Sequence, residues 1–97
     1  MKILAIEHEL PGAPTESFRR FAKEEARQAW DLHQAGLIRE LYFRSDRDEA
    51  VLVLECTSIE EAQSTLYELP FVREGLIDFE LIPLKAYPGF ERLFAKS

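Results

Sequence analysis

The sequence predicts an α+β fold, a four-stranded antiparallel sheet with two helices on one face. Three observations predict it. Four short segments alternate apolar residues with period two. Two other segments repeat them at helical spacing. Turn-forming Gly, Pro, Asp and Ser residues separate these segments in the order strand, helix, strand, strand, helix, strand.

Lys2 to Glu9 is the first strand, with Leu4, Ile6 and His8 on one side and Ile3, Ala5, Glu7 and Glu9 on the other. Leu10-Pro11-Gly12-Ala13-Pro14 ends it, because proline cannot donate to a ladder. Thr15 is placed to cap the first helix, Glu16 to Ala35. Phe18, Phe21, Ala22, Ala26, Ala29 and Leu32 share one arc of that helix. Glu25 and His33 lie within the arc and Trp30 at its edge. Gly36 follows, where a left-handed residue ends a helix without steric cost.

Leu37 to Arg44 is the second strand, with Leu37, Arg39, Leu41 and Phe43 on one side. Ser45-Asp46-Arg47-Asp48 is a polar turn. Glu49 to Cys56 is an apolar third strand suited to the sheet centre. Ser58 and Glu61 form a capping box, after which Ile59, Ala62, Leu66 and Leu69 share a face and Pro70 ends the second helix. Phe71 to Gly75 is read as a connector and Leu76 to Leu84 as the fourth strand. A tail, 88–97, completes a single domain over 1–97, with Phe90 to Ala95 read as a helical turn.

This is the split βαβ, ferredoxin-like order. Right-handed crossovers put strands one and three in the centre. Leu4, Ile6, Leu41, Phe43, Leu52, Leu54, Phe79 and Leu81 form the more apolar set, assigned to the helices. The opposite set still holds Ile3, Ala5, Ile38, Tyr42, Val51, Val53 and Ile82, too apolar a patch to leave open to water. A second copy packed on that face would cover it, so a homodimer is expected.

With 97 residues, 46% of them hydrophobic and seven Phe, the chain can bury one modest core. A net charge of -6 argues against a nucleic-acid surface, which needs clustered Lys and Arg. No apolar run approaches the roughly 20 residues that span a membrane. A single cysteine leaves no disulfide framework, and a cytoplasmic protein is expected.

Two patches resemble the muconolactone isomerase family of dimeric α/β-barrel proteins. Gly36-Leu37-Ile38-Arg39-Glu40-Leu41-Tyr42 is similar to that family's helix-ending Gly followed by Arg, Leu and an aromatic. Leu69-Pro70, the strand Ile77 to Leu84, and Tyr87-Pro88 resemble its Leu-Pro, acidic-apolar strand and His-Pro. Tyr87 stands where the family favours His, and Tyr42 where it tends to have Trp. The resemblance implies a dimeric α/β barrel, a homodimer or larger ring of dimers, and a small-molecule pocket between helices and sheet. It also implies no cofactor and a proton shift on an unsaturated lactone. It assigns a catalytic role to no particular residue.

Glu25, an acid on an apolar helix face, is the first candidate base, since desolvation raises a carboxyl pKa toward neutrality. The plainer reading has it reach the rim or pair with Arg39. His33 and His8, the only two histidines, are candidate acid/base groups or two unrelated rim residues. Neither shows the spacing of a metal ligand set, and no metal is expected. Arg39 would bind a substrate carboxylate or neutralise Glu25. Trp30 and Cys56 are candidate pocket walls, with core or interface the alternative. Three functions follow: a cofactor-independent isomerase-like enzyme, a non-catalytic dimeric ligand-binding or stress-associated module, or a cofactor-free monooxygenase.

Overall fold

The computed structural model describes residues 1–95, so the last two tail residues, 96 and 97, lie outside the described residues. The elements are β1 (Lys2–Glu9), α1 (Thr15–Gln34), β2 (Ile38–Phe43), β3 (Ala50–Glu55), α2 (Ile59–Tyr67), α3 (Pro70–Arg73) and β4 (Ile77–Leu84), followed by a 3-10 helix, Pro88–Leu93. The sheet order is β2-β3-β1-β4 with every pair antiparallel, so β1 and β3 are central as expected. The fold is the α+β, ferredoxin-like arrangement.

Local chemistry sets the boundaries. Pro14 precedes α1 in an extended conformation, and no side chain caps that helix, so Thr15 is its first residue rather than its cap. Gly36 takes φ +85, which turns the chain from α1 into β2. Ser58 Oγ accepts the Glu61 amide at 3.1 Å, the first half of the expected capping box. The Glu61 carboxylate bonds the Thr57 hydroxyl at 2.6 Å. Pro70 does not simply stop a helix. It opens α3, where its missing N–H and fixed φ suit the first helical position.

The core lies between the sheet and α2. Ile3, Ala5, Ile38, Ala50, Leu52, Leu54, Cys56, Ala62, Leu66 and Leu69 form one buried cluster. That cluster corrects two assignments. Ile3 and Ala5 pair with Leu54 and Leu52, so the odd residues of β1 face the helices while Leu4, Ile6 and His8 face the open side. Side-chain bulk misleads here, because Leu4 and Ile6 are larger than Ala5, yet both faces of a central strand are apolar. In β2 the register shifts between Ile38 and Glu40. This extra residue turns Ile38 inward, beside Leu41 and Phe43, and leaves Arg39 exposed.

The open face carries Leu4, Ile6, Val51, Val53 and Ile82, all partly exposed, with Tyr42 and Leu84 more exposed still. The tail presents Tyr87, Phe90, Leu93 and Phe94 to solvent.

Candidate active-site cavity

Helix α1 packs against α3 and β2 but stands away from the sheet between them, and none of its 20 residues is fully buried. Its sheet-facing stripe explains the gap. Ala22, Ala26 and Ala29 present only methyl groups toward the sheet, too little volume to fill the space beneath the helix. The result is a cavity of about 700 Å³. The sheet contributes Ile38, Leu41 and Phe43 from β2, Ala50 and Leu52 from β3, Phe79 from β4 and Glu7 from β1. Phe18 and Phe71 meet edge to face at 5.2 Å and close one wall. Phe43, the last residue of the edge strand β2, is 70% exposed. Glu9, Thr15, Arg19 and Asp48, all exposed, form the mouth.

Two carboxyl groups line this apolar space. Glu25 projects from α1 and accepts the Phe71 amide at 2.9 Å. That amide is free because it lies in the first turn of α3, where no helical carbonyl is in reach. Burial raises the Glu25 pKa above the ordinary carboxylate value, while the Phe71 amide and the Arg73 charge oppose the rise. Glu7 is only 9% exposed, on the helix-facing side of β1. Burial pushes its pKa up to about 7, the Ala50 amide opposes this, and the charges of Glu49, Glu25 and Glu9 add to it. The cavity therefore holds two acids poised toward neutral pH.

Of the residues singled out in the sequence, Glu25 alone lines the cavity. His33 lies at the far end of α1, where its Nδ1 is 2.9 Å from the Ile38 carbonyl and its ring is 5.8 Å from that of Trp30. Trp30 is 59% exposed. Arg39 donates from Nε to the Gly36 carbonyl at 2.6 Å and does not meet Glu25, because the bulge carries it out of line. His8 points to the open side of the sheet, 3.7 Å from Glu80, so the two histidines stand apart, as in the second of the two readings. Cys56 is buried at the end of β3, and burial raises its thiol pKa. Among the described residues no three His, Cys, Asp or Glu side chains converge as a metal ligand set.

Glu7 is the residue missed. Its signal was an acid in register with Ile3 and Ala5 on a strand whose other face is equally apolar, and an inverted face assignment hid it.

No family model matches the chain, and no curated protein sequence does. Solved structures do match. The crystal structure of muconolactone isomerase superposes with a TM-score of 0.75 over 91% of this chain and 92% of that one, at 22% identity. The chain has a muconolactone isomerase-like fold. A second match is 5-chloro-2-hydroxyhydroquinone dehydrochlorinase from Burkholderia phenoliruptrix AC1100, in complex with 2,5-dihydroxybenzoquinone. Its TM-score is 0.62 at 20% identity, covering 92% of this chain and 98% of that chain. Both structural neighbours are small-molecule enzymes by name, and at these identities the likeness establishes the fold. No helix among the described residues is long and apolar enough to cross a membrane.

Proposed function

We propose that the protein is a cofactor-independent enzyme that moves a proton within an unsaturated lactone or a related ring. The observation that carries this reading is a pair of differently poised carboxyl groups on one apolar cavity. Glu25 has one oxygen held by the Phe71 amide, which orients the other to take a proton from a ring carbon. Glu7, its pKa pushed up to about 7 by burial, returns a proton in its protonated form to the far end of the shifted double bond. The C–H electron pair becomes the new π bond, and the old π bond becomes the new C–H bond. Glu25 ends protonated and Glu7 ionised, and solvent at the open mouth resets both.

Hydrogen–deuterium exchange in D2O tests this without knowledge of the final product. Unsaturated lactones and hydroxylated rings are incubated with the protein and followed by proton NMR. The expected result is catalysed exchange at one ring position, lowered about 100-fold or more by Glu25→Gln or Glu7→Gln. Ligand-induced stabilisation without exchange would favour a binding module instead. Exchange that survives both substitutions would refute the two-acid mechanism.

The proposed active form is a homodimer. The open sheet face and the exposed aromatic tail give a second copy two apolar surfaces to cover. Sedimentation at micromolar concentration is expected to give a dimer or a larger assembly, and a monomer would contradict it.

A further inference from the structure

We infer that the ring bound in this cavity is uncharged, bears hydroxyl or carbonyl oxygens, and carries no carboxylate. The inference rests on the enzymatic reading of the cavity and narrows its substrate. The charge of the lining carries it. Four acids face the space, namely Glu7, Glu25, Glu9 and Asp48, against one cation, Arg19. Arg19 is exposed at the mouth, where its Nη1 lies 3.2 Å from the Glu16 carboxylate.

The neighbouring donors are committed. The Phe71 amide serves Glu25 at 2.9 Å, and the Glu9 amide serves Glu49 at 2.9 Å. Arg73 sits 3.6 Å from both Glu24 and Glu74. Arg44 is 2.7 Å from Asp46, and Arg47 is 3.6 Å from Glu49. Arg39 bonds the Gly36 carbonyl and does not line the cavity. A ligand carboxylate would thus leave water for an apolar space whose only lining cation, Arg19, is exposed at the mouth beside Glu9 and Asp48, so its lost hydration would go uncompensated.

An uncharged ring meets none of this penalty. Phe18, Phe43, Phe71 and Phe79 offer ring faces and edges for stacking. The carboxyl groups supply the few polar contacts that fix its orientation. With its pKa pushed up to about 7, Glu7 is partly protonated at neutral pH and in that form offers an O–H donor to a ring oxygen.

The test uses three rings of one shape on the intact protein at pH 7: 4-hydroxybenzyl alcohol, 4-hydroxybenzoate and 4-hydroxybenzylamine. Binding is read by calorimetry and by shifts of the Phe ring protons in NMR. The alcohol is expected to bind, with the benzoate at least about tenfold weaker. The double substitution Glu9→Gln, Asp48→Asn is expected to raise benzoate affinity several-fold and so narrow the gap. Benzoate binding as tightly as the alcohol overturns the inference and leaves the proton-transfer reading standing. So does benzylamine binding more tightly than the alcohol, which would assign the cavity to cations. Failure of all three rings, and of the lactones, to bind at millimolar concentration overturns the inference and the enzymatic reading together.

Discussion

Glu7 and Glu49 are the two buried acids among the described residues, and their environments push them in opposite directions. Glu49 accepts the Glu9 amide and lies near the guanidinium groups of Arg47 and Arg44, so its pKa falls despite burial, the amide being the largest cause. Glu7 has desolvation and three neighbouring acids, with one amide in opposition, and its pKa rises to about 7. One acid ties a turn to a strand end. The other sits in the wall of a cavity at a cost to stability. An acid raised by burial in a cavity wall is what the proposed proton transfer requires.

The difference can be broken at several points. The largest effect is expected from Glu7→Gln, which should lower catalysed hydrogen–deuterium exchange about 100-fold or more, while Glu49→Gln should change it little. The same two variants should reverse their order in stability. A carboxyl raised in the folded state binds its proton more tightly there, so wild-type stability should fall as pH rises from 4.5 through about 7. The Glu7 contribution to that fall is up to about 3 kcal/mol. Glu25 adds a loss of the same sign. Glu7→Gln should flatten this part of the curve and melt higher than wild type at pH 8, read by thermal denaturation across pH.

Glu49 carries the opposite sign. Its lowered pKa contributes stability above the unfolded value of 4.5 that is lost as pH falls below it. Glu49→Gln should cost about 1 to 3 kcal/mol at pH 7 in urea unfolding, since it weakens a charge-assisted bond from the end of β1 to a buried carboxylate. Smallest of all should be Arg39→Ala, an exposed side chain whose loss is expected to shift stability by no more than about 0.5 kcal/mol. A large loss of exchange in that variant would return Arg39 to the site.

Much of the fold was open to sequence reasoning because its signals were local. Gly36, the Ser58 cap and the β3 alternation each declare themselves within a few residues. Glu25 stood out for the same reason, as a lone acid in an apolar helical arc. Glu7 did not, because its side of β1 is decided by pairing with Leu52 and Leu54, some fifty residues away. Ranking faces by apolar bulk fails for a central strand that is apolar on both faces. The β2 bulge is likewise a register event between strands, and it inverted the expected direction of Arg39. Helix α1 shows a third limit. Its alanine stripe marks an apolar arc, but small side chains at that spacing leave a cavity when the facing strands are also lined by small residues such as Ala50.

The central claim is that Glu7 is held protonated in the cavity until near neutral pH. Carbon-detected NMR of the labelled Glu7 side-chain carboxyl across a pH titration tests it most directly, and requires no substrate. A midpoint near 7, displaced downward when Glu25→Gln removes its neighbour's charge, is the expected result. A midpoint near the ordinary 4.5, unchanged in that variant, would contradict it.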